Sequence, residues 1–306
     1  MILNRIKISA SLSKYAGTFY ILSAVLFWGS SAPIAKHLIT HKYSTLTIVQ
    51  TRALLSFCFL SVWFLLFQRR SFRIDIKDIF PFSLLGCVGL ALTNYTYYFT
   101  VVNSSVAVAI LIQYTAPILV VVYSGVLKKE EPLLPSTLIS LVLACVGCAL
   151  AVTNASFKSI QLHGLTWITG PLSAFAYAFQ IIATKRLLKK YSLNTVLIYM
   201  LGFASVFWFC VNPPWDFFNS GYSGNDWIIL ALFACVSVLI PQALFAKGLS
   251  SMSASNAGIL TTFEPVVAIG IAFLILGETI GIPQVFGGIL VIGAIVLINL
   301  PQLEKK

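Results

Sequence analysis

The sequence predicts an all-α integral membrane protein of ten spanning helices, built as two five-helix repeats that cross the bilayer in opposite senses. Three observations predict this class. Of the 306 residues 58% are hydrophobic and only 9% charged, whereas a soluble domain carries about 25% charged residues to cover its surface. The apolar residues come in runs of about 20, the length of a helix that crosses a bilayer. A shift of 148 residues lays the second half of the chain on the first.

The first apolar run extends from Gly17 to about Ile39 behind the basic stretch MILNRIKISASLSKYAG. It outlasts the core of about 7–15 residues found in a cleaved signal, so it reads as a retained span. Further runs follow at 45–67, 79–101, 104–127 and 133–153, then at 163–184, 194–212, 227–247, 252–276 and 281–300. The repeats are therefore 17–153 and 163–300. Their connections, among them RRSFRIDIKD, LKKEEPLLP and GETIGIP, are too short for a soluble domain.

Charge placement orients the spans. With the N-terminus inside, 16 of the 20 lysines and arginines fall at cytoplasmic ends, while Lys36, Lys42 and Lys158 fall outside and Arg52 lies within span 2. This asymmetry predicts a multi-pass protein of the cell membrane, of bacterial inner-membrane type, with both termini cytoplasmic. The net charge of +11 is then a topology signal. No basic stripe interleaves with exposed aromatics, so nucleic acid is not an expected partner.

The repeat carries its own evidence. Pro117 falls on Pro265, Glu130 on Glu278, Cys87 on Cys235 and Asn94 on Gln242. A shift of 149 places WGSSAPIAKHL, from Trp28, over YAFQIIATKRL, from Tyr177. Five is an odd number of spans, so the halves must be inverted; RRSFRIDIKD follows span 2, and nothing basic follows span 7. Inverted repeats are a transporter architecture, with the substrate site near the midplane at their interface.

Polar residues mark that site. Pro117 and Pro265 interrupt spans 4 and 9 as candidate kinks or gates, and each frees the carbonyl four residues earlier, at Gln113 and Thr261. At membrane depth those groups must face protein, water or ligand. Trp28 and Ser31, Asn94 and Tyr98, and Tyr177 and Gln180 share helical faces. With Tyr97, Tyr114 and Gln242 they form the expected cavity lining. Trp63, Trp167, Trp215 and Trp227, near span ends, suit the interfacial belt. Ser250, Ala254 and Gly258 recur at every fourth residue into span 9, a spacing for close helix contact.

Arg52 and Glu264 are the formal charges deep within spans, and intramembrane ionisable residues are functional candidates. Glu264 has two readings. It locks the bundle by pairing with Arg52, or it faces the cavity as a proton carrier or the partner of a substrate ammonium.

Other chemistries find no support. Cys58, Cys87, Cys145, Cys148, Cys210 and Cys235 all lie in apolar runs, where small soft side chains fill space. The CxxC of Cys145 and Cys148 is half of a zinc site at most, and His37, His41 and His163 are scattered. No metal or cofactor is expected. Neither a phosphate loop, a nucleophile elbow nor a catalytic carboxylate pair is present, so an enzyme is not expected.

LFWGSSAPIAK in span 1, the arginine of QTRALLSF, the proline of YTAPILVV and the TTFEPVVAI…LGETI stretch resemble the EamA-like family of the drug/metabolite transporter superfamily. The resemblance runs through nearly the whole chain in order. It implies a ten-helix bundle of two EamA-type repeats and secondary transport by alternating access, often export of amino acids or related metabolites. The first repeat reads TAPIL where the second reads FEPVV, so the carboxylate occurs once. Uptake or exchange of a larger metabolite, such as S-adenosylmethionine or a nucleotide sugar, stays open, as does a non-transporting sensor or assembly protein. The expected partners are a small-molecule substrate, the lipid bilayer and protons, for a monomer or weak homodimer.

Overall fold

The computed structural model describes residues 2–156, 162–213, 215, 221–276 and 279–300, which form helices joined by turns. α1 runs Ile2–His41 and α2 Thr45–Phe67. α3 is composite, with Ile79–Leu84, a π-helical stretch Leu85–Leu92, and Thr93–Asn103. α4 is broken into α4a, Val106–Gln113, and α4b, Ala116–Val121, which continues as π turns over Val122–Leu127. α5 is Pro135–Thr153. The second half supplies α6, Thr166–Leu188, and α7, Leu193–Val211. α8 combines Gly224–Ala234, π-helical Cys235–Leu239 and Ile240–Ser250. α9a is Ala254–Thr261, α9b Glu264–Leu276 and α10 Ile282–Asn299. Glu278, Lys158, Lys305 and Lys306 lie outside the described residues.

The sequence predicts ten apolar spans; among the described residues nine stretches are long and apolar enough to cross a membrane. The exception is α6. Its 23 residues reach roughly 35 Å, enough to cross, but Thr166, Ser173, Tyr177, Gln180 and Thr184 are buried along it. The face of α6 that packs on protein can carry such polar groups while Trp167, Ile168 and Phe175 stay exposed on the other, and its apolarity falls accordingly.

The two halves keep one register down to their helix caps. The Ser44 hydroxyl accepts from the Thr47 N–H at the start of α2, and the Ser192 hydroxyl from the Thr195 N–H at the start of α7. Ser105 caps Val108 in α4a as Ser253 caps Asn256 in α9a. Each cap satisfies an N–H that the helix itself leaves unpaired. The breaks coincide too: α4a stops at Gln113 and α9a at Thr261, and α4b and α9b restart at Ala116 and Glu264. The expected kinks are thus full breaks of two residues. Pro117 and Pro265 sit in the first turn after each break, where a missing N–H removes no helical bond.

A cross-repeat latch occurs twice. Lys42 Nζ and Tyr43 Oη bond to Asp226 Oδ1 at 2.5 and 2.7 Å. Lys190 Nζ and Tyr191 Oη bond to Asp78 Oδ2, the tyrosine at 2.5 Å. The 148-residue shift carries Lys42 to Lys190, Tyr43 to Tyr191 and Asp78 to Asp226. Each latch ties one repeat to the other, at opposite ends of the bundle. Hydrogen bonds to Asp75 and Asp78 raise the Lys190 pKa. Burial, then the bond to Asp226, pushes the Tyr43 phenol up to about 12.

The turns that carry the basic residues gather at one end, here called the basic end. There Tyr199 Oη donates to the Phe72 carbonyl at 2.8 Å and Arg186 Nη2 to Glu130 Oε1 at 2.7 Å. At the opposite end Gln50 and Asn212 exchange bonds of 2.9 and 2.6 Å. α5 and α10 pack backbone to backbone, and a Cβ on Gly287 would stand 2.5 Å from the Ala151 nitrogen. The small-residue stripe proves to be split. Ala254 and Gly258 are buried in α9a, whereas Ser250 ends α8 exposed, because the chain turns between them.

Candidate functional site

The two breaks face each other. Tyr114 is the first residue after α4a, and its hydroxyl donates to Oε2 of Glu264, the first residue of α9b. Both side chains are buried, at 3% and 5% exposure. Each break lies in the turn before its proline, whose ring and missing N–H disfavour the helical turn leading into it, and it leaves a side chain free to turn inward rather than along the helix face.

Arg52, on α2, is 3% exposed. Its Nη2 donates to the Ser237 carbonyl at 2.9 Å. That carbonyl is available because its helical partner four residues on is Pro241, which has no N–H. The guanidinium carbon lies 4.8 Å from the Tyr98 ring centre and 5.3 Å from that of Phe233, an arrangement in which the ring faces offset lost hydration of the cation. Nε and Nη1 have no hydrogen-bond partner. Arg52 and Glu264 form no ion pair, so the structure departs from the lock reading. Each charge has a partner on an adjacent helix, a freed carbonyl for one and a phenol for the other.

Both charges open onto one cavity of about 50 Å³, room for roughly four waters. α1 contributes Trp28 and Ser31, α3 Asn94, Tyr97 and Tyr98, and α4a Gln113. α6 adds Tyr177 and Gln180, and α8 adds Gln242. Two predicted residues stand off it. Tyr114 reaches Glu264 without lining the space, and the Thr261 hydroxyl donates to the Gly258 carbonyl at 2.7 Å. Asn94 and Gln242, equivalent in the repeat, do not bond each other: Asn94 donates to the Leu90 carbonyl at 2.8 Å and Gln242 accepts from Gln180 at 3.2 Å. Trp28 and Tyr177, equivalent under the 149-residue shift, meet edge to face at 6.4 Å.

Two lining residues escaped the sequence reading, Thr93 and Ser237. Ser237 was legible, since Pro241 four residues on announces its freed carbonyl. Thr93 carried no signal beyond standing next to Asn94. The hydroxyls of Thr93 and Tyr97, Oε1 of Gln113 and two nitrogens of Arg52 are buried without a partner. Each such atom costs about 1–3 kcal/mol, and all belong to residues of this one cavity. The charges also break the pseudo-symmetry. The counterpart of Arg52 is Met200 and that of Glu264 is Ala116, so each repeat supplies one sign.

Among the described residues no group of His, Cys, Asp and Glu could hold a metal ion, and the six cysteines are free thiols.

Residues 15–153, and again 164–300, match the EamA-like transporter family. The chain belongs to that family. Proteins similar to it include YicL of Salmonella typhimurium, an uncharacterized inner membrane transporter. It is 24% identical over 94% of this chain and 97% of its own. An uncharacterized transporter of Archaeoglobus fulgidus is 26% identical over 69% of this chain and 74% of its own. A solved crystal structure shares the EamA fold with a TM-score of 0.74 at 16% identity, covering 92% of this chain and 96% of that one. The chain is therefore a multi-pass membrane transporter of EamA type, and not an enzyme.

Proposed function

We propose that this EamA protein moves small zwitterionic metabolites, amino acids and their near relatives, out of the cell by alternating access. The observation that carries this reading is the separation of charge in the cavity. Arg52 and Glu264 are not spent on each other. The Arg52 guanidinium, with Nε and Nη1 still unpartnered, matches the charge of a carboxylate, and the Glu264 carboxylate matches an ammonium. Tyr97 and Gln113 offer further polar atoms, and the Trp28–Tyr177 pair offers a surface for an apolar side chain. A phosphorylated or nucleotide-linked cargo would call for several cations, and Arg52 is the one cation among the lining residues.

The cavity lies between the breaks of α4 and α9, where rocking of one repeat against the other would expose it to each end in turn. By the charge asymmetry the basic end is cytoplasmic. Glu264 serves as substrate partner and, when the substrate has left, as proton carrier.

Counterflow in proteoliposomes tests the reading, comparing amino acids with their decarboxylated amines, their amides, nucleosides and S-adenosylmethionine. The zwitterions are expected to exchange at least about tenfold faster than the amines, the value of one lost charged contact of about 1.4 kcal/mol. Glu264→Gln is expected to abolish the exchange while the protein remains monodisperse. Preference for an amine or nucleoside, or normal pH-dependent exchange by the variant, would overturn it, and a sensor or assembly protein would give no flux at all.

A further inference from the structure

The inverted repeat provides a way to tell moving contacts from fixed ones. In an inverted-repeat transporter the two end states are related by the halves exchanging conformations. A contact present in both halves maps onto itself and can persist, whereas a packing that is made at one end and open at the equivalent place at the other changes as the other state forms. The Lys–Tyr–Asp latches and the four serine caps are of the first kind.

The packing of α4 against α9 is of the second kind. At the basic end α9a lies against α4b, and a Cβ on Gly258 would be 3.6 Å from the Pro117 Cα. At the opposite end the equivalent residues, Ile110 and Pro265, both face a cleft of about 510 Å³. A smaller cleft of about 390 Å³ occupies the matching place at the basic end and reaches Ala254. There Glu131, in the turn before α5, bridges to the start of α9a: Oε1 accepts from the Ala254 N–H at 2.6 Å and Oε2 from the Ser255 N–H at 3.0 Å. The residue equivalent to Glu131 is Thr279, at the rim of the open cleft. A threonine has one oxygen and no charge, so it cannot span two backbone donors in this way.

We propose that Glu131 is the gate latch of the basic end, holding the first turn of α9a shut and biasing the free protein toward the state open at the opposite end. This rests on the alternating-access reading of the bundle. Release of the Ala254 and Ser255 N–H groups is then the step that lets α9a swing from α4b. In the exchanged state Ile110 packs on Pro265. That seal is poorer on two counts: a branched side chain replaces Gly258, and no carboxylate clamps the helix end.

Hydrogen–deuterium exchange of the full-length protein in lipid nanodiscs tests this, followed over 254–261 and 106–113. Glu131→Ala is expected to speed exchange over 254–261 about tenfold and to slow it over 106–113, because opening one end closes the other. Glu131→Gln, which keeps one acceptor, should fall between. Thr279→Glu, at an exposed position, should move both segments the opposite way. Faster exchange confined to 254–261 would make Glu131 an ordinary helix cap and overturn the proposal, as would unchanged exchange over 106–113 in Thr279→Glu. No substrate is present in this measurement, so its failure and a failure of the zwitterion reading are told apart.

Discussion

Burying Arg52 with one strong hydrogen bond makes sense only through a residue on another helix. Pro241 removes the N–H that would otherwise occupy the Ser237 carbonyl, and Arg52 takes its place at 2.9 Å. Pro241→Ala restores a competing donor. Replacing a proline within a helix favours folding, so this variant is expected to hold or raise Tm. Its counterflow should nevertheless fall by about tenfold or more, since a hydrogen bond to a charged group is worth roughly 1.5–3 kcal/mol. Thermal unfolding and flux measured together check the opposed signs; equal flux would show that Arg52 does not depend on Ser237. The freed carbonyl was legible in the chain, because Pro241 has no N–H for it; its pairing with Arg52 was not. Nor was the partner of Glu264. Both Tyr114 and Arg52 lay at suitable depth, and only the rotation of α2, α4 and α9 about their axes decides between them.

Among elements, the broken helices and the capping serines are local consequences of sequence, which is why they recur at 148-residue spacing. Ser105 and Ser253 open α4a and α9a, and proline restarts α4b and α9b two residues after each stop. The latches use the same register but join different elements. Lys42 and Tyr43, before α2, meet Asp226 at the head of α8, while Lys190 and Tyr191, before α7, meet Asp78 at the head of α3. Asp226 also accepts from the Ser223 N–H and hydroxyl in a capping box that Asp78 lacks, so Asp226→Asn should lower Tm more than Asp78→Asn. Standing at opposite ends of the bundle, they should be additive in the double variant. Melting curves in one detergent check this; an equal loss would show that the cap adds nothing to the latch, and a synergistic one that the two ends are coupled. The recurrence of KYS at 42–44 and 190–192 was visible, but its acidic partners lie so far along the chain that sequence spacing alone does not connect them.

For the whole molecule, each repeat is incomplete without the other. Every latch crosses between halves, α5 leans on α10 through glycine contacts, and the cavity takes its cation from one repeat and its carboxylate from the other. Residues 1–156 and 162–306 expressed as two chains are therefore expected to co-purify as a stoichiometric complex, with either half alone unstable in detergent. Affinity capture through a tag on one half checks it; a monodisperse single half would show that the repeat folds independently. The apolar spanning runs, the two-fold repeat, the prolines that interrupt spans 4 and 9 and the presence of two charges deep within spans were determined by the sequence itself. A bilayer imposes length, apolarity and backbone satisfaction on each helix separately. Only the tertiary structure decided which polar groups meet, that Arg52 and Glu264 stay apart, and that Glu131 bonds to the first turn of α9a. Lipid and protein interior are equally apolar, so polar residues mark an inward face but an apolar stretch does not mark which neighbour it packs against. That choice is made when the helices pack.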